Sequence, residues 1–288
     1  MIACDCHVHV FGPRDRYPQI DTRAYTAGVA SAETLKANGA PLGISRFVVV
    51  QASVNGTDNS CLLDGLDALD GDGRGVVVID PRAITSQELD AMHQRGVRGL
   101  RINLYSDYKS DRRERPALEQ RFEALADIAP NDWHIEVIAP MRMLAAAAPL
   151  LSASRVPVVI DHYGLPGADT PDTADGRALL DLLSRPHVWM KLSGPYRARE
   201  GAGSDPVSTT PPAEWLRPFV ETARDRLVWG SDWPYTPPHE DCRCGETPDP
   251  FRAIDYGQMF GDFLMAISEP RTLEAILAAN PARLYGFA

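Results

Sequence analysis

The chain has 288 residues, 44% of them hydrophobic and 24% charged, and its 29 basic against 39 acidic side chains leave a net charge of −10. That composition excludes a mainly disordered chain, and the acidic balance argues against nucleic-acid binding, which needs a basic face. With no run of about 18 apolar residues, no membrane span is expected, and the opening MIACDCHVHVFG has neither the basic nor the apolar stretch of a signal peptide, which predicts a cytoplasmic protein.

Taken in chain order, short apolar runs alternate with longer amphipathic ones. Strands are expected at Ile2–Val10, Arg46–Ser53, Gly75–Asp80, Gly99–Leu104, His134–Ala139, Val156–His162, Val188–Ser193 and Leu227–Asp232. Helices are expected at Ser31–Asn38, Asn59–Leu69, Thr85–Arg95, Pro116–Ile128, Met141–Ser154, Ala174–Ser184, Pro211–Arg224, Tyr256–Ile267 and Glu269–Asn280. Eight strand–helix units imply parallel strands with right-handed crossovers. They predict an α/β fold, a single (β/α)8 TIM barrel over residues 1–288, for which about 250 residues suffice. An open doubly wound sheet is the rival, but no glycine-rich phosphate turn follows the first strand. Long loops at 11–30, 105–115 and 234–254 would all lie on the C-terminal face, the last as a lid or mobile flap.

Side chains alternate along a strand. One phase of several strands carries polar residues toward the C-terminal end: Asp5, His7 and His9; Gln51 and Ser53; Gly99, Arg101 and Asn103; His134, Glu136 and Ile138; Ile160, His162 and Gly164; Lys191 and Ser193; Gly230 and Asp232. These are placed inside the barrel. One buried polar residue is unremarkable, but a ring of them is costly to bury and points to function. Glu136 and Arg101 could be a structural ion pair on neighbouring strands, and His134 reads as a core histidine at the barrel bottom. Of the five cysteines, Cys4 and Cys6 read as small buried residues, and Cys242 and Cys244 as free thiols in a surface loop, half a metal site with no second half.

Closure of the barrel sets the first strand beside the eighth. His7 and His9 would then meet Asp232, with His162 arriving from the sixth strand. Such a set can hold a divalent metal that activates water. Alternatively the histidines polarise a carbonyl while Asp232 takes a proton from water.

The segments DCHVHVFGP (5–13), VVVQASVNGTDN (48–59), VRGLRINL (97–104), VIDHYGLP (159–166) and VWGSDWP (228–234), in this order along the whole chain, resemble the amidohydrolase superfamily. More narrowly they resemble its 2-pyrone-4,6-dicarboxylate lactonase group, with the related sulfomuconolactone and sugar-lactone hydrolases. The resemblance implies a hydrolase of small anionic lactones in aromatic-compound catabolism. It makes Asp232 the general base and His7, His9 and His162 the carbonyl contacts. Tyr25, Ser53, Arg101, Asn103 and Arg197 would hold the substrate. It implies no required metal; zinc, if bound, would sit on His7, His9 and Asp232. Ile138 stands where metal-dependent members carry a histidine. Leu165, Leu104–Asp107, Ile138 and Tyr235 replace polar or basic residues of the pyrone-dicarboxylate enzyme, which opens the substrate to muconolactone, sulfonated or sugar-acid rings. The rival readings are a zinc-dependent hydrolase or decarboxylase on this scaffold, a lactone isomerase, and a non-catalytic barrel.

Overall fold

The computed structural model describes residues 2–106, 118–199, 206–239 and 245–288. Its strands are β1 (Ala3–Val8), β2 (Ile44–Val50), β3 (Gly73–Val77), β4 (Val97–Asn103), β5 (His134–Ile138), β6 (Val158–Ile160), β7 (Val188–Ser193) and β8 (Leu227–Gly230). They form one parallel sheet in the order β1 to β8, each beside its sequence neighbour. The seam is closed beyond the end of β8, where Val8 bridges Trp233. There the His9 N–H donates to the Trp233 carbonyl and the Asp232 N–H to that of His7, each at 2.8 Å. This is the TIM barrel expected from the alternation. Gly230 permits the closure, because a Cβ there would come within 2.6 Å of the His7 Cβ.

The helices pack outside the ring for reasons local to their sequences. Ser86–Gln94 begins with a capping box, Thr85 accepting from the Glu88 N–H while the Glu88 carboxylate accepts from that of Thr85. Asp255 caps Tyr256–Ala266 in the simpler way. The closing helix runs on past Asn280, as Pro270–Glu274, a π-turn Ala275–Ala279 and Asn280–Tyr285, so the expected stop at Asn280 falls short. Pro116 and Cys242/Cys244, like most of the 105–115 loop, lie outside the described residues. No helix among the described residues is long and apolar enough to cross a membrane.

The barrel interior is layered. Its lower part is an apolar plug of Cys4, Cys6, Val48, Val50, Val76, Val159 and Val228, with Tyr285 and Phe287 packed in the same cluster. Each fully buried valine there contributes roughly 1.5–3 kcal/mol. The polar layer stands above it, toward the C-terminal strand ends, and the plug is a solid base for it.

Candidate active site

Three of the strand phases differ from simple alternation, and each difference shapes the site. From Asp5 to Val8 β1 advances three residues while β2 advances two, from Phe47 to Val49. This bulge turns His7 inward along with Cys6 and leaves Asp5 outside the wall. There the Asp5 carboxylate accepts from the Ser231 N–H at 2.8 Å and the Tyr256 hydroxyl at 2.8 Å. On β2 the inward phase is Val48 and Val50. Gln51 instead ties down the next turn by donating to the carbonyls of Gly56 and Asp58, and Ser53 lies in that turn rather than in a strand. On β6 the inward phase is Val159 and Asp161, with Ile160 outside. His162 still enters the barrel because its backbone is left-handed, at φ 51. Asp232 has φ 66, and Tyr163, Leu165 and Tyr235 are left-handed too. Such strain in non-glycine residues gathers at functional sites.

Asp232 is fully buried, and its two oxygens have different surroundings. Oδ2 accepts from the Tyr196 hydroxyl and from Arg197 Nε, both at 2.5 Å. Arg197 also donates to Thr236. Oδ1 has no hydrogen-bond partner among the described residues. It faces His9 Nε2 at 3.3 Å and His7 Nε2 at 3.5 Å. Burial alone would raise the Asp232 carboxyl, but Arg197, then His162, His9 and His7, outweigh it and hold it well below the usual carboxylate range. Gly194, left-handed at φ 51, lets the β7 loop pass this carboxylate, since a Cβ there would lie 3.2 Å from the Asp232 Cβ.

The histidines are anchored from behind. His9 Nδ1 lies 2.8 Å from the Val50 carbonyl, which can only accept, so Nδ1 carries the hydrogen. His162 Nδ1 meets the Ser193 hydroxyl at 2.9 Å. His7 Nδ1 lies 3.3 Å from Lys191 Nζ and 3.3 Å from Asp161 Oδ1. Burial lowers both His7 and His162; Lys191 and His162 lower His7 further.

Beneath the histidines is a wholly buried ionic floor. Lys191 contacts Glu136 directly and lies 3.6 Å from Asp161. Arg101 stands 3.6 Å from Asp161 and 3.8 Å from Glu136, and donates to the Gln51 carbonyl at 2.7 Å. The close partner of Glu136 is therefore Lys191 rather than Arg101. Burial and Asp161 push the Glu136 carboxyl up, but Lys191, His134 and His7 bring it below its usual value. His134 is buried lower down, edge-on to Tyr285.

Above this floor opens a narrow pocket with a cavity volume of ≈ 20 Å³, room for about one water. It gathers most of the residues singled out from the sequence: His9, Tyr25, Ser53, Arg101, Asn103, His162, Arg197 and Asp232 all line it. His7 lies behind them and completes the set. Asn103 exchanges hydrogen bonds with Ser106. Tyr25 stacks on His239, and burial pushes its hydroxyl up to about 12. The described part of the last long loop is tied to the first rather than loose: Asp249 pairs with Thr26 through both its N–H and its carboxylate, and Phe251 stacks on Phe11.

Sequence reasoning missed Asp161, Tyr196, Thr236 and His239. Asp161 was recoverable, since alternation from Val159 places it inside. The pairing of Tyr196 and Arg197 with Asp232 had no sequence signal, because the short helix Pro195–Ala198 meets the β8 end only in three dimensions. For a metal, the donor groups that converge within 4.8 Å among the described residues are His7–His162–Asp232 and His7–Glu136–Asp161, so His162 takes the place expected of His9.

Known proteins share this fold. The amidohydrolase family model matches residues 4–287. A 4-sulfomuconolactone hydrolase of Rhizobium radiobacter is 32% identical over 99% of this chain and 90% of its own. A 2-pyrone-4,6-dicarboxylate hydrolase of Comamonas testosteroni is 31% identical over 98% and 90%. The crystal structure of a probable 2-pyrone-4,6-dicarboxylic acid hydrolase from Acinetobacter baumannii superposes with a TM-score of 0.80 at 27% identity, covering 100% of both chains. The chain belongs to the amidohydrolase family.

Proposed function

We propose that this protein is a lactonase: it opens the ring of a small anionic lactone by attack of water, with Asp232 as general base. The observation that carries the proposal is the asymmetry of Asp232. Tyr196 and Arg197 occupy Oδ2 and keep the carboxylate ionised, and Oδ1 is left toward the pocket. The names of the full-length relatives, a sulfomuconolactone hydrolase and a pyrone-dicarboxylate hydrolase, support it.

In this account the nucleophilic water donates one hydrogen to Asp232 Oδ1, and His9, held through Nδ1 by the Val50 carbonyl, turns Nε2 toward that same oxygen. Lys191 can only donate, so a neutral His7 accepts on Nδ1 and carries its hydrogen on Nε2, while His162 Nδ1 lies against both the hydroxyl and the carbonyl of Ser193. The His7 Nε2–H, with His162 beside it, stabilises the oxyanion as water attacks the lactone carbonyl. Asp232 takes the proton. Arg197 makes it a weak base, so its conjugate acid is strong and readily passes the proton to the ring oxygen as the C–O bond breaks. The products are a hydroxyl and a carboxylic acid, which releases its remaining proton to water as the carboxylate. Arg101, Ser53, Asn103 and Tyr25 hold the substrate, residues 1–288 act as one domain, and the setting is cytoplasmic catabolism of aromatic compounds, in keeping with the unpaired buried thiols of Cys4, Cys6 and Cys61.

The reading needs no metal. Its support is charge: among the described residues Glu136, Asp161 and Asp232 already stand against Arg101, Lys191 and Arg197, so a dication would bring uncompensated positive charge into a buried layer. The residue at the end of β5 is Ile138, which offers no ligand atom. The test is turnover of a panel of lactones (pyrone dicarboxylate, muconolactone, sulfomuconolactone, a sugar-acid lactone) before and after exhaustive chelation. Opening of at least one lactone at unchanged rate after chelation is expected. No opening of any overturns the lactonase, and loss of activity restored by zinc overturns the metal-free mechanism.

A further inference from the structure

The pocket is chemically two-sided, and the sides follow the strand order. β1 and β8 bring His7, His9 and Asp232, His162 joins them from the turn after β6, and β4 brings Arg101 and Asn103. The opposite arc, where β4, β5 and β6 end, carries a separate small apolar cluster of Tyr105, Ile138 and Leu165, all buried. Tyr105 and Ile138 line the pocket directly, across from His9 and Asp232. A ring whose carbonyl sits against Asp232 therefore presents its far edge to hydrocarbon and an aromatic face.

Charge gives an independent reason. The pocket and its floor hold three carboxylates and three cations among the described residues, as above, and Arg197 is engaged by Asp232 while Arg101 is flanked by Asp161 and Glu136. One incoming anion beside Arg101, Ser53 and Asn103 has hydrogen-bond donors to meet it. Among the described lining residues no further arginine or lysine remains for a second anion, and an uncompensated buried charge is costly.

Resting on the lactonase reading of this same site, we propose that the preferred substrate is a lactone with a single anionic group and an uncharged far edge, unsubstituted or alkyl-substituted, seated on Tyr105 and Ile138, which Leu165 backs. Ile138 is then a specificity-determining residue.

The test compares rings that differ by one charge. kcat/KM is measured for 2-pyrone-6-carboxylate against 2-pyrone-4,6-dicarboxylate, and for muconolactone against 4-sulfomuconolactone. The singly charged member of each pair is expected to be better by about tenfold or more, the equivalent of about 1.4 kcal/mol. Ile138→Arg is expected to narrow both ratios. Equal or better turnover of the doubly charged rings by the unaltered protein overturns the proposal while leaving the lactonase reading intact, and that measurement stands whether or not the variant folds. Failure of all four rings to open overturns the lactonase reading, and the proposal falls with it.

Discussion

Asp5 and Asp232 are both fully buried carboxylates flanking the seam between β1 and β8, yet their surroundings drive them in opposite directions. Outside the wall, Asp5 receives neutral donors, Ser231, Tyr256 and the His7 N–H, and burial raises its carboxyl to about 6 despite them. Inside, Asp232 suffers the same burial but meets the Arg197 guanidinium, and is held well below the usual range. Burial therefore does not decide the charge of a carboxylate; a cation in contact does. The one seam between β1 and β8 yields a structural tie on one face of the sheet and an ionised base on the other.

The sharpest way to break that contrast is Asp232→Asn, which keeps the shape and removes the base. Turnover is expected to fall about 10³-fold, within the range for a lost general base, with the circular dichroism spectrum unchanged. Normal turnover would remove Asp232 from the chemistry. Next in size is Arg197→Met. It leaves a buried carboxylate without its cation, so kcat is expected to fall about 10²-fold and stability by about 3–5 kcal/mol, read from urea unfolding. The smallest effect on activity belongs to Asp5. Its raised value means the native state keeps a proton that the unfolded chain releases, so from about pH 4 to about pH 6 stability falls as pH rises and then levels. At about 1.4 kcal/mol per pH unit that is about 3 kcal/mol in all. Asp5→Asn is expected to remove this slope while preserving turnover. An unchanged slope would place Asp5 on the same electrostatic footing as an exposed carboxylate.

The fold was legible in the sequence because eight apolar runs alternating with amphipathic ones admit few topologies. β7 falls on the expected residues Val188–Ser193. Strand ends were less legible, since His162 and Asp232 continue the pattern in sequence but leave the strand through left-handed backbone. Strict alternation also could not foresee the β1 bulge. It grouped Asp5 with His7 and His9, although the bulge places them on opposite sides of the wall. The list of polar residues around the pocket was largely legible, because a ring of inward polar side chains has few structural uses. Their pairwise roles were not. Arg197, expected as a substrate contact, is first a partner of Asp232, and that pairing depends on how the loop after β7 meets the end of β8.

The central claim is that Arg197 keeps the Asp232 carboxylate ionised for catalysis. The acid limb of kcat/KM against pH, in the unaltered protein and in Arg197→Met, tests it most directly, because that limb reports the free enzyme's base. The account predicts a limb below the ordinary carboxylate range in the unaltered protein, moved upward in the variant because burial then prevails. A lower activity with the limb in the same place would contradict it, and would return Arg197 to the role of a substrate contact.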